Sequence, residues 1–198
     1  MKSLPDFPLV RPGKLSSWFA HRRIKQFSEA VVYVRTLFYR RTNGSSNLSV
    51  LEDSAGSFTA RNALLVQLAQ EQGYQSLHLA LCVHSFDRNY PGAGVGGILE
   101  ENGLSTLPNV QGCIKHRGQM YTVATDSLAL EAELLSAIEI APVQIGTFKR
   151  RYHQNYLRNW IQIERLEPDW SVEALWEVRS QCLCGVAEQW NNYVRSAL

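Results

Sequence analysis

Apolar residues recur at three- and four-residue steps between residues 16 and 39, where Ile24, Phe27, Val31, Val34 and Leu37 follow Phe19. This spacing predicts one or two helices, with His21, Arg22, Arg23 and Lys25 giving them a basic outer face. Residues 1–15, with Pro5, Pro8, Pro12 and Gly13, read as an extended arm ahead of a single domain over 16–198. RRTNGSS, residues 40–46, is polar and glycine-bearing and reads as a loop. GSFTARNALLVQLAQEQG, residues 56–73, reads as a tight turn running into an amphipathic helix. Ser57 and Thr59 are its candidate N-caps, Ala63, Leu64, Leu68 and Ala69 its stripe, and Gly73 its stop. The period then changes to two, with Leu77, Leu79, Leu81 and Val83 alternating with His78, Ala80, Cys82 and His84, which predicts a strand. DRNYPGAGVGG, residues 87–97, reads as a surface loop, and 110–116 and 119–125 as a hairpin turning at Arg117-Gly118. The last third reads as helical: one helix over 127–138, a second opening at Pro142 and a third capped by Ser171. Ile145, Phe148, Tyr152, Tyr156 and Trp160 form one packing stripe, and Leu175, Trp176, Val178, Leu183 and Val186 another.

Composition narrows the class of protein more than its role. The 198 residues are 45% hydrophobic, enough for a real core, and 20 basic against 18 acidic residues give a formal charge of +2. That balance supplies no strong field for nucleic acid. The basic-aromatic run KRRYHQNYLR, residues 149–158, offers charges for RNA or phosphate, but helical spacing turns its rings inward and its charges to water, so nucleic acid is not the expected partner. There is no apolar leader in the first residues and no run of about 18 apolar residues, so the expectation is a cytoplasmic protein with reduced cysteines and no membrane span. GAGVGG follows a strand but lacks the long helix and later acidic residue of a dinucleotide fingerprint. Cys182 and Cys184 have no second cysteine pair or nearby histidine, so no metal and no cofactor is expected.

Several separated blocks, in order, carry a resemblance. VVYVRTLFYRR (31–41), GSFTARNALL (56–65), GGILEENGLSTLP (96–108), EIAPVQIGTFKRRYHQNYLRNW (139–160) and ALWEVRSQCL (174–183) make the chain resemble a small bacterial transglutaminase-like family with the papain-like thiol fold. The resemblance implies an α+β fold: an antiparallel sheet against a central helix, with C-terminal helices over 142–198 packed on it. It also implies a triad, in which a cysteine thiolate at a helix N-terminus is activated by a histidine that a carboxylate orients. Where the family has Gly-Thr-Cys-Ser-x-Lys-His-Ala-Leu-Leu, this chain has GSFTARNALL, which puts Phe58 at the cysteine's position. The histidine position falls on Gln111 and the aspartate position on Thr122. Phe offers no nucleophile, Gln moves no proton near neutral pH, and Thr cannot hold an imidazolium.

The expectation is therefore a pseudoenzyme: a transglutaminase-like protein without its thiol triad, whose cleft, around Phe58, Gln111 and Thr122, binds a small molecule or peptide. The alternative is an enzyme with a reassigned cleft, performing amide, acyl-transfer or small-metabolite chemistry in a biosynthetic pathway through Ser57, His84 or Cys113. Ser57 reads equally as a helix cap. Cys113 and His116, three apart on a strand, point to opposite faces, whereas Cys82 and His84 share a face of the neighbouring strand, so a cross-strand pairing of the Cys113 thiol with an imidazole is open.

Overall fold

The computed structural model describes residues 4–41, 47–90, 94–124, 134–166 and 168–197. The helix that the sequence places at the centre is there. Ser57 Oγ accepts the Ala60 N–H at 3.3 Å and starts α4, Phe58–Glu71, and Gly73 just beyond its end takes the left-handed φ of 84° that closes many helices. Its burial is wider than the expected stripe. Residues from Phe58 to Val66, together with Leu68 and Ala69, are all buried, so α4 is a core helix wrapped by its neighbours.

Two helices precede it, α1 (Lys14–His21) and α2 (Phe27–Arg35), followed by the short α3 (Asn47–Glu52). The N-terminal stretch is extended only up to Gly13, because α1 begins at Lys14. That stretch is bound to the domain: Phe7 stacks between Phe27 and Tyr74, with ring centroids at 4.5 and 3.7 Å. The Glu71 carboxylate, at the far end of α4, accepts the N–H groups of Leu15 and Ser16 at 3.2 and 2.7 Å and so caps α1 from a distance.

The sheet is antiparallel in the order β3-β2-β1-β4, with β1 His78–Asp87, β2 Thr106–His116, β3 Gln119–Tyr121 and β4 Ser136–Ile140. The hairpin turn falls at Arg117 and Gly118, whose φ values of 48° and 76° suit a two-residue turn with the twist of the flanking strands. β3 is shorter than the expected 119–125: it ends at Tyr121, after which Thr122 and Val123 bond to α4, and residue 125 lies outside the described residues. The helix expected over 127–138 is corrected at its end, because Ser136–Ile140 forms the edge strand β4. The edge of β1 captures this segment, and Ile138 and Ile140, two apart, face the apolar side of the sheet. Residues 127–133 of that expectation lie outside the described residues. The loop expected over 87–97 also needs revision. Helix α5 (Val95–Glu101) begins inside it and buries Val95 and Leu99, one turn apart; positions 91–93 lie outside the described residues.

After a 3-10 turn opened by Pro142 (Pro142–Ile145) come α6, Thr147–Ile163, and α7, Val172–Ala197, with Ser171 Oγ accepting the Ala174 N–H at 3.1 Å. Both stripes pack as expected. Phe148, Tyr152 and Tyr156 of α6 lie on Leu81, Val83 and Val110 of the sheet, and Leu157 and Ile161 meet Leu175, Val178 and Cys182 of α7. The architecture is thus α+β, with a helical C-terminal third. No helix among the described residues is long and apolar enough to cross a membrane.

Candidate functional site

The first turns of α4 are clamped onto β2. Thr59 Oγ1 accepts the Gly112 N–H at 2.9 Å, and Asn62 Nδ2 donates to the Gly112 carbonyl at 2.8 Å. Only glycine permits this approach, since a Cβ at position 112 would lie 2.6 Å from Thr59 Cγ2. Asn62, fully buried, also donates to Thr122 Oγ1 at 3.2 Å and accepts the Val123 N–H at 3.2 Å. Gln111 Nε2 donates to the same Thr122 Oγ1 at 2.8 Å, and the Ala124 N–H approaches it at 3.2 Å. The fold therefore brings Gln111 and Thr122 into direct contact, as the sequence comparison expects. The link between them is amide to hydroxyl, and it carries no titratable group.

Phe58 opens α4 but is only 6% exposed. Its ring is boxed by Tyr39, tilted with centroids 4.9 Å apart, and by Trp190 of α7, edge-on at 5.1 Å. Trp190 Nε1 donates to the Leu37 carbonyl at 3.1 Å, and Asn191 brackets Tyr39, accepting its N–H at 2.6 Å and donating to its carbonyl at 3.2 Å. Behind the ring lies Arg61, fully buried, its guanidinium 5.4 Å from the Phe58 ring and 5.5 Å from that of Trp190. Arg61 Nε donates to the Gly56 carbonyl at 3.0 Å, while Nη1 and Nη2 have no hydrogen-bond partner among the described residues. Burial pulls its pKa down to about 9.

Next to this end of α4 is a cavity of about 590 Å³, walled by residues of α6 and α7 and reaching Tyr39 and Ser57. Arg41, Lys149, Arg150 and Arg179 line it together with His153, and among the described residues no aspartate or glutamate is on its wall. The His153 Nε2 lies 3.0 Å from the Pro108 carbonyl, which can only accept, so this nitrogen carries the proton; burial holds the imidazole neutral, its pKa well below the usual histidine value. Arg179, 6% exposed, lies with its guanidinium 4.8 Å from the Trp176 ring and donates from Nε to Asn109 Oδ1 at 2.9 Å. That bond orients the Asn109 amide, so its Nδ2 donates to His84 Nε2 at 3.1 Å. His84 is in turn left with its proton on Nδ1, a buried atom with no partner in hydrogen-bond geometry among the described residues. Burial takes His84 down to about 4 and Arg179 to about 10, with Arg41 adding to the latter. Lys149 falls to about 7, through burial first and then through Arg179 and Arg41.

Of the six candidates drawn from the sequence, Ser57 alone is on the cavity wall. Its hydroxyl caps α4. His84 bonds to Asn109, and Cys113 pairs across the sheet with Ala80 and packs on Cys82, so no bond described joins two of Ser57, His84 and Cys113. The Cys113 thiol, sharing a hydrogen bond with Cys82 and fully buried, is pushed well above the usual thiol pKa, the reverse of an activated nucleophile. His116 sits elsewhere, with Nδ1 3.2 Å from the Ser76 carbonyl. Cys182 is buried and Cys184 exposed on α7, and no group of three or more His, Cys, Asp or Glu able to hold a metal ion occurs among the described residues. The sequence reading missed Arg41, Lys149, Arg179 and Asn109. For Arg179 there was a signal: it is a charged residue embedded in the apolar stripe of Leu175, Val178, Cys182 and Leu183.

No protein-family model matches this chain, and neither a curated protein nor a solved structure does.

Proposed function

We propose that this is a non-catalytic ligand-binding protein of transglutaminase-like descent, in which the end of α4 that would carry a nucleophile has become the closed wall of a small-molecule cleft. The observation that carries this reading is the cavity of about 590 Å³ beside the α4 N-terminus, of the size that small-molecule sites occupy. Supporting it, Phe58 is sealed between Tyr39 and Trp190, and the couple Gln111–Thr122 has no group that takes up or releases a proton near neutral pH. A thiol mechanism needs a thiolate and a base within hydrogen-bond reach. The thiol nearest the Gln111–Thr122 couple in sequence, Cys113, is held protonated in the core.

Native mass spectrometry of the purified protein tests the reading, with a bound small molecule as the expected result. Iodoacetamide consuming Cys113 together with a trapped acyl-enzyme would show instead that the cleft is a working thiol site. A Phe58→Cys protein should remain without hydrolase or acyltransferase activity, because Gln111 and Thr122 leave the new thiol without a base.

A further inference from the structure

The cavity between α6 and α7 has a charge that nothing on its wall answers. Arg41, Lys149, Arg150 and Arg179 converge on it, and no ion pair links any of these four to a carboxylate among the described residues. Arg179 is almost fully buried, with only its Nε committed, to Asn109. Arg150 lies at 5.7 Å from the ring of Trp176, the same aromatic that Arg179 packs against at 4.8 Å. Of the four only Arg179 is buried; Lys149 is half-buried, and Arg41 and Arg150 are exposed. A buried guanidinium without counter-charge is costly, and one set among three further cations is arranged for an anion that arrives from outside. One negative charge would leave most of this excess standing; two or more are needed to balance Lys149, Arg179 and the two flanking arginines. The guanidinium of Arg179 supplies the planar fork that grips tetrahedral oxyanions, and Lys149 the point charge beside it.

We infer that this cavity is an oxyanion site for a ligand bearing two or more negative charges, of the class of phosphate monoesters and pyrophosphates. The inference rests on the ligand-binding reading above and names its chemistry. It has a second consequence. The groups facing Lys149 are Arg179 and Arg41, which repel its charge, with Arg150 and the neutral His153 on the same wall; the Cys113 thiol, protonated near pH 7, adds no charge. With its pKa near 7, Lys149 is partly neutral in the empty site, and an arriving polyanion restores its proton. Binding should therefore return a proton to Lys149 at pH 7.5, and the number of protons exchanged should change when Lys149 is removed.

Isothermal titration of the full chain with inorganic pyrophosphate, in HEPES and in Tris at pH 7.5 and against sodium chloride at matched ionic strength, tests both points. The expected result is saturable binding with a buffer-dependent enthalpy. Lys149→Gln and Arg150→Gln should each weaken it at least tenfold, the former also changing the number of protons exchanged. Arg158→Gln, on α6 but engaged with Asn155 and off the cavity wall, should stay within about twofold. Pyrophosphate binding no better than chloride, or equally well to Lys149→Gln, overturns the assignment. A neutral molecule co-purifying in the cavity while pyrophosphate fails overturns the anion alone and leaves the ligand-binding reading standing. A cavity that takes up neither overturns both.

Discussion

Replacing Gly112 with alanine tests how α4 is set on the sheet. The added Cβ lies 2.6 Å from Thr59 Cγ2, 3.3 Å from Thr59 Cβ and 3.4 Å from its Cα. Thr59 cannot swing aside, because a β-branched side chain is stiff at χ1 and its hydroxyl is fixed by the Gly112 N–H at 2.9 Å. The helix must lift, which loosens that bond and the Asn62–Gly112 bond at 2.8 Å. Overpacking a core by one methyl costs about 1–3 kcal/mol, and a weakened buried hydrogen bond about 1 kcal/mol more. The gain from removing a flexible glycine from a strand returns about 0.5–1 kcal/mol. Gly112→Ala should therefore cost about 1–3.5 kcal/mol in urea unfolding. Thr59→Ser removes the clashing methyl and keeps the acceptor, at about 0.8 kcal/mol for one buried methyl. In the double variant the alanine fits, so the combined loss should fall about 2 kcal/mol short of additive. Thr59→Val, which keeps the bulk and discards the acceptor, should give no rescue. Additivity within about 0.5 kcal/mol for Gly112→Ala with Thr59→Ser would refute this account of the contact.

Phe58→Ala should cost about 3–4 kcal/mol, through the cavity it leaves and its lost contacts with Tyr39 and Trp190, and thermal unfolding should fall by roughly 10 °C; a loss under about 1 kcal/mol would mean that the ring seals nothing. In the native state His84 has a pKa of about 4 and His153 lies well below the ordinary value near 6.5, so the unfolded chain binds more protons in this interval and stability should fall as pH drops from 6.5 towards 4. His84→Gln should flatten that slope in urea titrations between pH 6.5 and 5. Lys149 has the same sign at higher pH. Its native pKa of about 7 is below the unfolded 10.5, so stability should rise between pH 7 and 10, and the rise should shrink in Lys149→Met.

What the sequence made legible was local. Ser57 and Ser171 announce their helices because a cap acts within one turn, and Arg117-Gly118 announces the hairpin because a two-residue turn needs positive φ at both positions. Gln111 and Thr122 stand out only through the family resemblance, and their contact forms just past the end of β3, where Thr122 also meets α4. Strand β4 was hidden because its identity depends on the free edge of β1, and five residues are too few for a period of two to outweigh a helical composition. The cavity was hidden for a deeper reason. Arg41, Lys149 and Arg179 belong to a loop and two helices, and only the charge of Arg179, set within an apolar stripe, stands out along the sequence. Packing alone brings the three onto one wall, with Arg179 buried, Lys149 half-buried and Arg41 exposed.

The two ends of α4 are held by opposite ends of the polypeptide. Glu71 caps α1 across 56 residues, whereas the bracket on Tyr39 beside Phe58 comes from Asn191, 152 residues away. Because contacts of long sequence separation form late, the aromatic box around Phe58 should close after both the Glu71 cap and the Gly112 clamp, which span only 50 to 56 residues. Chain synthesis sharpens the order, since residues up to Glu71 can pair while α7 is still unmade. Pulse-labelled hydrogen exchange should accordingly protect the amides of Leu15 and Ser16 before that of Tyr39. The cleft is in this sense the keystone of assembly: a ribosome-bound fragment ending before α7 can assemble the arm, the Glu71 cap and the Gly112 clamp, while its Phe58 ring waits uncovered for Trp190.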